Sequence, residues 1–174
     1  MSIEPDTKDW TWVLERPCPE CGYDARTVEA AELPARLREA SAPWRDVLAR
    51  EDAAVRPADN IWSPLEYACH VRDVHRVFDG RVERMLTEDD PAFDSWDQDA
   101  TALEGRYDEQ DPATVAGELV AAAEAVAVRY AGVEGDLWRR TGRRSDGAVF
   151  TVDSIGRYHL HDVVHHLYDV GADG

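Results

Sequence analysis

The segment that begins at Ser63 carries the clearest helix signal in this 174-residue chain. Ser63 suits the position before a helix, Pro64 suits the first helical position, and Glu66 completes a capping box with Ser63. Apolar residues then recur every three or four positions until about Leu86, which predicts a long helix with one buried stripe. The residues of that stripe are Tyr67, Val71, Val74, Phe78, Val82 and Met85.

Three further segments show helical patterns of similar length. The first spans about residues 28–51 and contains Pro43, where we expect a kink or a break. The others span about 111–132 and 152–170, and each is bounded by residues that favour helix ends. Four long helices, with one long connection over residues 91–110, predict an all-α four-helix bundle.

The composition restricts the class of protein and its partners. A hydrophobic content of 44% and a net charge of -17 predict a globular domain that repels nucleic acid and anionic membranes. The first twelve residues lack the pattern of a signal peptide, which predicts a cytoplasmic location. We therefore expect a small-molecule substrate as partner, and the surface is compatible with a homodimer.

The histidines are concentrated on two of the predicted helices. Four of the six fall between His159 and His166, and the other two are His70 and His75. Imidazole is a common ligand for zinc, copper, iron and nickel, so two histidine-bearing helices that face each other predict a metal site.

A helical wheel of residues 152–170 ranks the possible ligands on that helix. Asp162 and His166, four residues apart, lie near the edge of the apolar face and are preferred to the pair His161 and His165. The wheel directs His165 towards solvent. On the preceding histidine-bearing helix, the wheel does not choose between His70 and His75.

Two short motifs resemble those of a known family. Trp62-Ser63-Pro64-Leu65-Glu66, with His70 eight residues after the tryptophan, is similar to a helix signature of the DinB/YfiT-like family. The segment from Asp162 to Asp169 is similar to the ligand-bearing motif of its last helix. The superfamily includes the mycothiol-dependent maleylpyruvate isomerases, and the resemblance covers roughly residues 30–171.

This resemblance implies an up-down-down-up bundle with a divalent metal, zinc or nickel, on His70, Asp162 and His166. Asp162 departs from the pattern, because many members have histidine there and the isomerase branch has glutamate. The implied activity is a thiol-dependent S-transferase or isomerase reaction on a small electrophile, with a low-molecular-weight thiol as a further cofactor. Two alternatives are a metal-dependent hydrolase and a non-catalytic metal- or ligand-binding bundle that serves as a stress-response accessory.

Two more histidines are predicted to assist the reaction. His159 or His75 would act as a proton shuttle, and His159 is also the best candidate to orient a metal ligand.

The segment of residues 1–26 is interpreted as an N-terminal extension to a bundle of residues 27–174. It contains Cys18-Pro19-Glu20-Cys21-Gly22, which resembles half of a zinc ribbon. Three interpretations remain open: Cys18 and Cys21 bind metal with borrowed histidines and cap the bundle's metal site, they form a redox-active dithiol, or they form an inert turn.

Two other groups of side chains have a structural and a functional interpretation. Trp96, Asp97 and Asp99 belong either to a packed loop, which we favour, or to a pocket wall. The arginines at positions 139, 140, 143 and 144 either pair with the surplus of acidic side chains, which we favour, or bind an anionic substrate.

Overall fold

The computed structural model describes residues 3–172, so the outermost residues of the predicted ranges 1–26 and 27–174 lie outside it. Its α-helices are α1 (Leu33–Ser41), α2 (Trp44–Leu48), α3 (Pro64–Thr87), α4 (Gln98–Glu104), α5 (Pro112–Ala131) and α6 (Val152–Asp169). Its strands are β1 (Ala92–Phe93), β2 (Thr141–Arg144) and β3 (Val149–Thr151). Within residues 3–172, no helix has the length and apolar character needed to cross a membrane.

Local sequence signals account for the helix boundaries. Ser63 accepts a hydrogen bond from the Glu66 amide at 3.2 Å, and the Glu66 carboxylate accepts one from the Ser63 amide at 2.8 Å. The capping box at the start of α3 is therefore present as predicted. The predicted break at Pro43 is also present, since α1 ends at Ser41 and α2 begins at Trp44.

Ion pairs along α3 and α5 give their relative direction. Arg72 pairs with Glu118 at 2.8 Å, and Asp79 pairs with Arg129 at 2.5 Å. Because the residue numbers rise together on both helices, α3 and α5 are parallel. Two consecutive parallel helices need a long crossover, which is the role of the connection that contains β1 and α4.

Side-chain contacts also give the direction of α6. The ring of His70 lies 4.8 Å from that of His166, and the ring of His75 lies 5.0 Å from that of His159, so α3 and α6 are antiparallel. The start of α1 packs on the first half of α6, and the segment after α2 contacts the end of α6. The chain through α1 and α2 therefore runs in the same direction as α6. The fold is thus the predicted four-helix bundle in up-down-down-up order.

A small sheet closes one end of the bundle. Strand β2 pairs with β3 in antiparallel fashion and forms a hairpin before α6, and β1 pairs with β2 in parallel. The core lies between the helices and includes Trp44, Leu119, Tyr130 and Ile155.

The N-terminal segment packs across the outer face of α6. It contains short 3₁₀ turns at Thr11–Leu14, Ala25–Thr27 and Ala30–Glu32. The hydroxyl group of Tyr23 donates to the Arg157 carbonyl at 2.8 Å, which fastens this segment to α6. As a result, α6 is covered on the side that the helical wheel assigned to solvent.

Candidate metal centre

Three side chains from α3 and α6 converge where these helices face each other. Oδ1 of Asp162 lies 3.5 Å from Nε2 of His70 and 3.4 Å from Nε2 of His166. One donor atom from each of the three residues lies within 4.8 Å of the others. The structure therefore brings together the three residues that the family resemblance implied as ligands.

The spacing of these donors fits one metal ion. Two donors that each lie roughly 2.1 Å from a zinc ion at a tetrahedral angle are about 3.4 Å apart. Both measured separations agree with that value, and both exceed the length of a good hydrogen bond. Among residues 3–172, neither ring nitrogen of His70 has a hydrogen-bond partner, and neither does Oδ1 of Asp162. Buried polar atoms left without partners are costly, and a cation at this position would satisfy Nε2 of His70 and Oδ1 of Asp162.

A neighbouring carboxylate orients one of the three candidate ligands. Nδ1 of His166 lies 2.8 Å from Oδ2 of Asp169, which fixes the ring so that Nε2 faces Asp162. Burial disfavours charge on His166, but the carboxylates of Asp162 and Asp169 outweigh this effect and raise its pKa. The predicted orienting residue was His159, whereas the structure places Asp169 in that position.

Burial and charge set the protonation of the other two candidate ligands. Burial lowers the pKa of His70, although Asp162 opposes the effect. Burial alone would raise the pKa of Asp162, but His166 and His70 outweigh it and lower that pKa. A neutral imidazole and an ionised carboxylate are the forms that bind a metal.

A cavity of about 670 Å³ opens onto Asp162 and His166. Trp96 stands in its wall and stacks on His70, with the ring planes 6° apart and the centroids separated by 5.3 Å. Asp97 and Asp99 also line the cavity, so the pocket interpretation of this loop, which the sequence did not favour, is the one that the structure shows. The N-terminal residues 3–8 also line this cavity.

The sequence model described as the DinB superfamily matches residues 31–170. The chain belongs to the DinB superfamily. No curated protein sequence matches this chain.

Among solved structures, this DinB-superfamily protein is similar to YfiT from Bacillus subtilis, a four-helix bundle of unusual topology. The TM-score is 0.64 at 18% sequence identity, and the match covers 98% of this chain and 92% of YfiT. At this level of identity, the comparison establishes the fold.

His75 and His159, the predicted proton shuttles, lie in the core between α3 and α6. Nδ1 of His75 is 2.9 Å from Nε2 of His159, and Nε2 of His75 is 3.0 Å from the Ser41 hydroxyl. Both side chains are 0% exposed, and neither lines the cavity. The shuttle role stays a prediction, and a direct contact with a substrate in this cavity would need a rearrangement of the core.

The buried histidine pair leads to a prediction about acid stability. Burial lowers the pKa of His75 to about 4, below its ordinary value of 6.5. Between these values the unfolded chain binds a proton that the native chain does not, so stability falls as the pH falls. We expect His75 to contribute about 2 kcal/mol to the loss of unfolding free energy between pH 7 and pH 5.

Urea denaturation of the wild type and of His75→Gln at both pH values measures this contribution. The loss between pH 7 and pH 5 should be smaller in the variant, which retains a polar side chain beside Ser41. An equal loss in both proteins would show that the pKa of His75 is the same in the folded and the unfolded chain, which contradicts the prediction.

Cys18 and Cys21 cluster with His161 and His165, and not with His70, Asp162 and His166 as the capping interpretation required. Donor atoms of these two cysteines, His161 and His165 lie within 4.8 Å of one another. The prediction that His165 points to solvent is wrong, since this side chain is buried under the N-terminal segment. A helical wheel of α6 uses only the residues of that helix, so it cannot predict burial by the N-terminal segment.

The basic cluster mostly pairs with acidic side chains, as the sequence favoured. Arg143 binds Asp90 at 2.6 Å, and Arg144 binds Asp146 at 2.8 Å. Arg144 also lines the cavity, together with Arg81, which the sequence analysis did not single out.

Proposed function

We propose that this protein is a divalent-metal-dependent enzyme that transfers a low-molecular-weight thiol to a small electrophile, or isomerises that electrophile through a thiol adduct. The observation that supports the proposal is the convergence of donor atoms from His70, Asp162 and His166 beside a cavity, where Nε2 of His70 and Oδ1 of Asp162 are buried and have no hydrogen-bond partner among residues 3–172. Three protein ligands leave a coordination position for a reactant, which is the arrangement of catalytic rather than structural zinc sites.

The residues of the site have separate roles in this proposal. His70 and His166 would provide neutral nitrogen donors, and Asp162 would provide the single negative charge. Asp169 holds His166 in its ligating orientation. When bound, zinc or nickel would supply Lewis acidity and lower the pKa of a thiol or water at the open position.

The cavity provides room and charge for the reactants. Its volume of about 670 Å³ lies in the usual range for small-molecule sites and is large enough for a thiol beside a small electrophile. Arg81 is 8% exposed, lies between the rings of Phe78 and Phe93, and donates one hydrogen bond, at 3.0 Å, to the Asp94 carbonyl. A buried guanidinium in the cavity wall favours a reactant that carries a carboxylate or a similar anion.

Metal-dependent hydrolysis at the same site is the second candidate. YfiT is described as a probable metal-dependent hydrolase, and it shares this fold. Hydrolysis would place water, instead of a thiol, in the open position.

A turnover assay distinguishes these functions. The protein is stripped with a chelator, reloaded with zinc or nickel, and incubated with carboxylate-bearing electrophiles and esters, with and without low-molecular-weight thiols. Metal-dependent turnover that requires a thiol supports the proposal, and metal-dependent turnover without thiol supports the hydrolase. Absence of metal-dependent turnover across both panels would overturn both and favour a non-catalytic binding protein.

A further inference from the structure

The turn that carries Cys18 and Cys21 packs against one turn of α6. The Cys18 amide donates to the Tyr23 carbonyl at 2.8 Å, and the Gly22 amide donates to the Cys18 carbonyl at 2.9 Å. Gly22 has a φ of +73°, a conformation that favours glycine and lets the chain reverse after Cys21. Both sulfur atoms are thereby held on the same side as α6.

Two histidines of α6 face this turn. His161 and His165 are four residues apart, so they lie next to each other on the helix surface. Sγ of Cys18 lies 3.6 Å from Nδ1 of His165. A sulfur at about 2.3 Å and a nitrogen at about 2.1 Å from a tetrahedral zinc ion would be about 3.6 Å apart.

The surroundings of the two imidazoles fit metal ligands. Nε2 of His161 is buried and has no hydrogen-bond partner among the residues of 3–172. Nε2 of His165 faces the carboxylates of Asp169 at 3.8 Å and Glu20 at 3.9 Å, on the side of the ring opposite the sulfur. Trp10 covers the pair, with its ring centroid 5.5 Å from His161 and 5.2 Å from His165.

From this geometry we infer that Cys18, Cys21, His161 and His165 bind a zinc ion, separate from the ion of His70, Asp162 and His166. Two thiolates and two imidazoles form a complete tetrahedral set, which leaves no position for a reactant and is typical of a structural site. On binding, each thiol releases its proton as its sulfur bonds to zinc. The inference does not depend on the proposed activity.

This zinc site would fasten the N-terminal segment over the cavity. Residues 3–8 and Trp10 line the cavity wall, and the cysteine turn follows them in the chain. The same turn of α6 supports both sites, because His161 precedes Asp162 and His165 precedes His166. Loss of the zinc should therefore loosen the cavity wall without removing the other ion.

Metal analysis of variants tests the inference. We expect the zinc-loaded wild type to hold two ions per chain. Cys18→Ser/Cys21→Ser should keep only the ion of His70, Asp162 and His166. His70→Ala/His166→Ala should keep only the ion of the cysteine site. Circular dichroism checks that each variant is folded. Equal zinc content in the wild type and the cysteine variant would overturn the inference.

Cobalt substitution provides a measurement on the unmodified cysteines. The wild type and His70→Ala/His166→Ala, loaded with cobalt(II), should show thiolate-to-cobalt charge-transfer absorption and the visible bands of a tetrahedral site. These features should be absent from Cys18→Ser/Cys21→Ser. Wild-type protein without the charge-transfer absorption, or with a Cys18–Cys21 disulfide in its metal-loaded form, would contradict the inference even if the cysteine variant fails to fold.

Discussion

Replacement of His166 by alanine is expected to remove the ion held by His70, Asp162 and His166 and to lower turnover about a thousandfold. The variant keeps only two ligands, and the Asp162 carboxylate then lies 3.5 Å from a single imidazole. A Lewis-acid metal contributes several kcal/mol to transition-state stabilisation, and about 4 kcal/mol corresponds to a factor of a thousand. Metal content and kcat/KM, measured on the same preparations, check both parts of the expectation.

A matched pair of aspartate variants controls for the loss of a charge. Asp162→Asn removes the carboxylate donor and should weaken metal binding, whereas Asp136→Asn changes an exposed residue whose salt bridge is to Arg139. The first should need more metal for half-maximal activity, and the second should behave as wild type. Full activity in His166→Ala at wild-type metal content would remove His166 from the ligand set.

Gly156→Val is expected to destabilise the fold by about 2–3 kcal/mol. Gly156 lies on α6 against α1, and a Cβ atom there would lie 2.5 Å from Cδ1 of Leu33 and 3.2 Å from the ring of Tyr130. Both neighbours are 0% exposed, so neither can move into solvent. The added side chain must push the helices apart or force buried side chains out of their preferred rotamers.

Gly80→Val is the matched control for this substitution. Gly80 lies within α3, and a Cβ atom there would meet no atom within 4 Å among the described residues. Urea denaturation of the metal-loaded proteins should give a lower midpoint for Gly156→Val and an unchanged or slightly higher midpoint for Gly80→Val. Equal midpoints for the two variants would show that α1 and α6 are not in close contact at Gly156.

The bundle could be predicted because its helix boundaries depend on local chemistry. The capping box at Ser63 and the break at Pro43 follow from interactions within a few residues, and both are present in the structure. The three candidate metal ligands could not be identified from helix periodicity alone, since the wheel did not choose between His70 and His75. The family resemblance made that choice, and the structure brings His70 to Asp162.

The other histidines show what local patterns leave out. His161 and His165 are buried because a distant segment, near Trp10 and Cys18, covers the outer face of α6. A Cys-x-x-Cys turn together with a pair of histidines four residues apart was the available signal for this group. His159 pairs with a residue of α3 in the core. A helical wheel placed His159 at the edge of the apolar face, and a residue at that edge can lie either in the core or in a cavity wall.

We propose that His70, Asp162 and His166 together bind one divalent ion. An anomalous-scattering map of zinc-loaded crystals, recorded at the zinc absorption edge, tests it directly. We predict a peak roughly 2.0–2.2 Å from Nε2 of His70, Nε2 of His166 and an oxygen of Asp162. A map with zinc bound elsewhere in the protein and no peak among these three donors would contradict the claim.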